Sequence, residues 1–152
     1  MTQMERRNPA ERGMSLYAGA VGTQGVPVGC RAVALTASAD LSKATLYVPM
    51  ATSRELLAGV AATKRIAVVA TYPPDHGTVQ LKGIAGTVRL AEESERELIR
   101  DRIDGFAEVL HRLGYPLRIV RAINHWPAFA IDMTVDELYE QTPGPNAGMP
   151  LR

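Results

Sequence analysis

Apolar and polar positions alternate along much of the chain with the two-residue period of half-buried strands. After a polar stretch from Met1 to Gly13, Ser15 to Val21 and Pro27 to Thr36 are small-residue and β-branched segments. Gly22-Thr23-Gln24-Gly25 separates them, and the pair reads as a hairpin. A third strand, Thr45 to Val48, follows the polar turn 38–43 and stops at Pro49, which has no N–H for a central ladder. Ile66 to Tyr72 and Thr78 to Leu90 read as an antiparallel pair joined by the Pro73-to-Gly77 turn. The last strand runs from about Ala128 to Met133, with Val135 as an extension.

Two stretches carry a helical period instead. Ser53 stands where its hydroxyl can cap a short helix through Leu56, Leu57 and Val60. A longer helix from about Ser94 to Leu113 presents Ile99, Ile103, Phe106, Leu110 and Leu113 at spacings of four and three. Ser94 and Glu97 are set as a capping box, and Gly114 and Pro116 end the run. Its charged back, including Asp101, Asp104 and Glu108, reads as a solvated face with i, i+4 pairs.

About six strands with one short and one long helix, lacking the crossover helices of a parallel sheet, predict a mainly antiparallel α+β domain. A small barrel is the economical architecture, because closure removes exposed edges. The predicted organisation is a flexible arm over 1–14, one domain over 15–140 and a turn-rich tail over 141–152. The tail either crosses a partner subunit or stays disordered.

Composition narrows the function. With 152 residues, 46% hydrophobic content and a formal net charge of +1, the chain has the balance of an ordinary globular protein. It offers no broad attraction for nucleic acid or an anionic membrane. The arm, with Arg6-Arg7, is not followed by the apolar stretch of a signal peptide, and no apolar run reaches membrane-spanning length. The single cysteine, Cys30, cannot form an internal disulfide, so a reducing cytoplasm is the expected location. It reads as a core thiol. His76, His111 and His125 lack metal-ligand spacing, and no P-loop or dinucleotide fingerprint is present. His125-Trp126 suits a pocket wall, but more simply anchors the start of the last strand.

What remains is a polar set suited to an anionic, planar cofactor. Arg31 lies in the second strand, Ser53 and Arg54 begin the first helix, and Gln80 shares a strand with Lys82 and Gly83. Arginine holds phosphate with fixed geometry, and a helix start adds free N–H groups. A glutamine amide both donates and accepts, as the edge of an isoalloxazine ring requires.

Three short motifs occur in order: Gly25-Val26-Pro27 before the Arg31 strand, Leu46 to Pro49 leading into Ser53-Arg54, and Val79-Gln80-Leu81-Lys82-Gly83. In this order the chain, from about Leu16 to its end, resembles the FMN-binding split barrels of the pyridoxamine 5′-phosphate oxidase family. Its late segment, Arg121 to Pro127 with the Gln141-to-Gly148 tail, is similar to a less characterised bacterial branch. The resemblance implies a split β-barrel that binds FMN. Arg31, Ser53 and Arg54 would contact the phosphate, Gln80 the ring, and the Ala32-Val33 and Val48-Pro49 backbone would line the ring. It also implies a homodimer with FMN at the subunit interface, and oxidoreductase activity on a small-molecule redox substrate. Thr36 and Glu55 depart from the oxidase, which has lysines there, and a carboxylate beside Ser53-Arg54 repels phosphate unless it points away. These departures keep open a non-catalytic module holding flavin or haem for storage, sensing or delivery. The oxidase's own substrate-binding residues are not recognisable near the C-terminus, so pyridoxamine phosphate oxidation is not expected.

Overall fold

A computed structural model describes residues 7–152. The strands are β1 (Ser15–Val21), β2 (Pro27–Ala32), β3 (Ala34–Ala37), β4 (Lys43–Pro49), β5 (Arg65–Tyr72), β6 (Gly77–Leu90) and β7 (Ala128–Glu140). Helix α1 (Arg54–Thr63) joins β4 to β5, and α2 (Arg96–Arg112) and α3 (Leu117–Arg121) lie between β6 and β7. All strands belong to one antiparallel sheet, in the order β2-β1-β5-β6-β7-β4-β3.

The two ends of that order, β2 and β3, are consecutive in the chain. They meet at Val33, whose N–H donates to the Tyr47 carbonyl at 2.9 Å. The sheet therefore curls until its ends adjoin, as a split barrel. This corner is why the strands number seven rather than about six. Pro27 to Thr36 reads as one extended segment, but its first half pairs with β1 and its second with β4. One unbent strand cannot serve both ladders.

The inward positions of every strand form one core, including Leu16, Leu35, Leu46, Val68, Leu81 and Ile131. Leu56 and Val60 of α1 join it, and α1 packs against β1, β2 and β5. Gly59 permits that approach, since a Cβ there would lie 2.5 Å from the Val21 carbonyl oxygen. Helix α2 lies on the outside of the barrel. Its Ile99 and Ile103 cover Val33, Ala34, Tyr47, Ala128 and Ala130, and its next turns pack Phe106 and Ala107 against Val120 of α3. The sequence pattern showed no helix at 117–121.

The start of α2 differs from the expected Ser94–Glu97 box. Residues 93–95 form a single 3-10 turn, and Glu95, not Glu97, reaches back to the Glu92 N–H at 2.7 Å. Glu95 wins because other partners fix it: Arg89 donates to its two oxygens at 2.7 and 2.8 Å, and the Tyr47 hydroxyl donates at 2.7 Å. The charged back of α2 pairs mainly across elements, with one adjacent pair inside the helix, Arg102 to Asp101 at 3.0 Å, in place of the expected i, i+4 pairs. Arg12 meets Asp101 and Glu108, and Arg121 meets Asp104.

Of the stretch expected as an arm, residues 7–14 lie against the barrel, with Pro9 and Met14 buried and Arg7 3.7 Å from the centre of the Tyr72 ring. The rest of the arm, Arg6 included, lies outside the described residues. Beyond β7 the tail folds back on its own chain. Leu151 N–H donates to the Leu138 carbonyl at 2.7 Å, Glu140 N–H donates to Met149, and the Arg152 guanidinium holds the Asp40 and Leu41 carbonyls. Strand β4 pairs with β7 only as far as Thr134, so the far end of β7 has a free edge for the tail to take. Among the described residues no helix is long and apolar enough to cross a membrane.

Candidate functional site

Because inward positions fill the core, the alternate positions of the same strands must face out. Cross-strand register then lines up residues that are far apart in sequence. Arg31 is opposite Tyr17, Tyr17 opposite Val69, Val69 opposite Gln80, and Gln80 opposite Tyr139. Arg31 and Gln80 thus share one transverse row on the barrel exterior. Three strand steps separate them, roughly 14 Å at ~4.8 Å per step. The adjacent row begins Gly29, Gly19 and Ala67, so the floor beside Tyr17 and Val69 is nearly free of side chains. It ends at Lys82, whose Nζ is 4.6 Å from the centre of the Tyr139 ring. The result is an exterior shelf with an arginine at one end and amide and ammonium groups at the other.

Arg31 donates to the Ser15 hydroxyl at 3.2 Å and stands 5.3 and 5.6 Å from the ring centres of Phe106 and Tyr17. It has no carboxylate partner among the described residues, which leaves its charge available to an anion. Gln80 is half-buried, and its Oε1 accepts from Gln141 Nε2 at 3.2 Å.

The start of α1 carries the other expected pair. Ser53 does not cap the helix through its hydroxyl: its backbone sits at φ −99°, ψ 2°, and the first turn is closed by Leu57 N–H to the Ser53 carbonyl at 2.9 Å. The Ser53 side chain is instead fully buried, with Oγ lacking any partner. A buried hydroxyl left this way costs about 1–3 kcal/mol, so it is suited to a partner from outside the chain. Arg54 is exposed and unpaired among the described residues, and the first-turn N–H groups have no intrahelical acceptor. An orphaned hydroxyl, free amides and an unpaired guanidinium fit a phosphate, while the exposed Glu55 carboxylate in the same turn opposes one.

The four residues expected to line the ring turn their side chains elsewhere. Ala32 and Val48 point into the barrel core, Val33 is covered by α2, and Pro49 is fully buried. Only their backbone could contact a ligand, and Val33 has already given its N–H to Tyr47. Thr36 lies apart from the Arg31 row, in an open groove of about 500 Å³ on the outside of β3, β4 and β7, beside Thr45 and Asp132.

Several neighbours were not singled out by sequence reasoning: Ser15, Tyr17, Phe106, Tyr139 and Gln141. Strand alternation places Tyr17 outside, but only register reveals that it faces both Arg31 and Val69. Other candidates resolve as structural groups. Cys30 is buried, and burial pushes its thiol up to about 11, which keeps it protonated and inert near neutrality. Trp126 packs with the residues under α2 and carries Arg96 at 5.4 Å, while His125 Nδ1 meets the Ile123 carbonyl at 2.7 Å. Both fix the entry to β7. Among the described residues no three His, Cys, Asp or Glu side chains gather in a metal-ligating cluster.

No protein-family model and no curated protein matches the sequence. Solved structures match over nearly the whole chain. A pyridoxamine 5′-phosphate oxidase candidate from Lactobacillus delbrueckii aligns with TM-score 0.53 and 14% identity, covering 91% of this chain and 93% of its own. An F420 reductase aligns with TM-score 0.53 and 12% identity, over 90% and 98%. HupZ of Group A Streptococcus aligns with TM-score 0.57 and 13% identity, over 97% and 100%. The curled seven-strand sheet, its exterior helix and these alignments give the chain the split-barrel fold of pyridoxamine 5′-phosphate oxidase-like proteins.

Proposed function

We propose that the protein binds FMN and uses it as an oxidoreductase on a small molecule. The observation that carries this reading is the exterior shelf. Arg31, without a carboxylate partner among the described residues, and a half-buried Gln80 share one face and one row, and the adjacent row of Gly29, Gly19 and Ala67 leaves room beside Tyr17 and Val69 for a planar ring. Ser53 and Arg54, at the start of the neighbouring α1, supply the chemistry of a phosphate site. The cofactor would supply hydride or electron transfer, and the chain's own groups would bind and orient it. Proteins of the same fold whose names state oxidase or reductase activity support the reading without fixing the cofactor.

The proposed active form is a cytoplasmic homodimer with the flavin between subunits. Ile84, Val88 and Leu90 of β6 are exposed where that strand reaches and passes the end of β5. This is apolar surface that a second copy would remove from water. Light scattering coupled to gel filtration should give twice the monomer mass, and a monomer at micromolar concentration would exclude the shared site.

The direct test is the visible spectrum of freshly purified protein, followed by FMN titration. Flavin bands and saturable binding near one per chain are expected. Absence of both would overturn the cofactor assignment. Glu55 in the first turn of α1, with the uncharged Thr36, favours a second reading in which the barrel holds flavin or haem without turnover. Steady-state oxidation of NADH or NADPH with an acceptor separates the two.

A further inference from the structure

Gln80 faces the shelf with an amide that has already been half spoken for. Its Oε1 accepts from Gln141 Nε2 at 3.2 Å, while its own Nε2 has no partner among the described residues. An amide has one carbonyl and two N–H donors, and rotation by half a turn exchanges the two ends. What holds the carbonyl therefore decides what the other end offers.

Gln141 is well placed to hold that carbonyl, because its backbone is tied to β6 independently of its side chain. Its N–H donates to the Thr78 carbonyl at 2.9 Å, and the next residue's Thr142 Oγ1 accepts from the Thr78 N–H at 3.0 Å. Thr142 N–H in turn donates to the Glu140 carboxylate at 2.8 Å. These bonds carry the β6–β7 ladder one step past the end of β7, and on that step Gln141 lies diagonally beside Gln80 on the exterior. The other groups around Gln80 do not compete for its carbonyl. Val69 is apolar, the Tyr139 hydroxyl donates to Glu137, and the Lys82 ammonium lies over the Tyr139 ring.

We infer that Gln141 is a positioning residue for the shelf: by bonding the Gln80 carbonyl it turns the Gln80 amide to present its N–H donors to a bound ring. The inference rests on the flavin reading for its ligand. Donors that meet a carbonyl oxygen of a flavin would favour the anionic reduced ring, whose carbonyls carry more negative charge, so this arrangement would raise the midpoint potential as well as affinity.

The test is a pair of neutral and inverted substitutions, each made with and without Gln80. Gln141→Met removes the donor at similar size. Gln141→Glu replaces it with an acceptor that draws the Gln80 N–H toward itself and turns the carbonyl outward. Both should weaken FMN binding, by roughly three- to tenfold from the worth of one hydrogen bond, and both should lower the midpoint potential, Gln141→Glu more. In the Gln80→Met background both effects should vanish, whereas a through-space effect of the new carboxylate would persist in that background and overturn the inference. Side-chain amide NMR of the flavin-free protein reports the geometry separately. Slowed hydrogen exchange is expected at Gln141 in the wild type and at Gln80 in Gln141→Glu. If the wild type binds FMN and Gln141→Met matches it in affinity, spectrum and potential, the role of Gln141 fails alone. If the wild type binds no FMN, the flavin reading fails and takes this role with it.

Discussion

The outside of this barrel has two regions that the same strand alternation creates and the chain treats oppositely. Over β3, β4 and the start of β7, the outward residues are Ala34, Tyr47, Ala128 and Ala130, and α2 covers them with Ile99 and Ile103. Over β2, β1, β5 and β6, the outward row is Arg31, Tyr17, Val69 and Gln80, and Tyr17 remains 52% exposed. The covered region excludes water and contributes stability through apolar burial. The bare region leaves its polar groups with few internal partners, Arg31 with the Ser15 hydroxyl and Gln80 with Gln141, so hydrogen-bonding capacity remains for a ligand. Even the polar groups differ. Tyr47, Glu95 and Arg89 are fully engaged with one another beside α2, whereas Arg31 has only a neutral hydroxyl and Ser53 Oγ has nothing.

The contrast breaks most visibly at Ile99, fully buried between α2 and the sheet. Ile99→Ala should cost about 2–5 kcal/mol and lower the thermal midpoint by roughly 4–20 °C, read by calorimetry. A shift below 1 °C would mean that α2 is not what stabilises that face. Arg54→Ala probes the unpaired polar groups at the start of α1. It should leave the melting curve within about 0.5 kcal/mol of wild type, as expected of an exposed side chain, yet weaken FMN binding roughly tenfold or more, read by fluorescence titration. Equal affinity would remove Arg54 from the phosphate site.

Glu95 sharpens the comparison through pH. The Arg89 hydrogen bonds, outweighing partial burial and joined by the Glu92 N–H and Tyr47, hold its carboxyl down to about 2, below its ordinary 4.5. A carboxyl whose pKa is depressed on folding stabilises the protein above its unfolded value, and that contribution is lost as pH falls from about 4.5 toward 2. Glu95→Gln should therefore lower stability at pH 7 and flatten the loss between about pH 5 and 2, followed by urea unfolding at each pH. An unchanged acid limb would show that the trio does not contribute to stability. The smallest effect is expected at Glu55. Glu55→Lys in the first turn of α1 replaces a repelling charge with an attracting one, and should tighten FMN binding by roughly two- to fivefold at low salt, fading as salt rises. Weaker binding would place the phosphate elsewhere.

Much of this was legible without coordinates. Period-two alternation gave β1, β5 and β6 nearly to the residue, and the spacing from Ile99 to Leu110 gave α2, because both patterns are local records of which side is buried. Local patterns misled where a distant partner intervened. Glu95 became the capping residue of the turn before α2 because Arg89 and Tyr47 hold it, and the Ser53 hydroxyl is buried without a partner rather than capping α1. The break at Val33 exists only because the sheet closes.

The sequence by itself determined the residue types, the faces they occupy and the order of the elements, since propensity and periodicity act over a few neighbouring residues. The tertiary structure alone decided which of those faces meet. Cross-strand register set Arg31, Tyr17, Val69 and Gln80 in one row, and placed Gln141 beside Gln80, although 61 positions separate that last pair. Register is fixed by burying one whole face of the sheet at once, which is a property of the closed barrel and of no single segment.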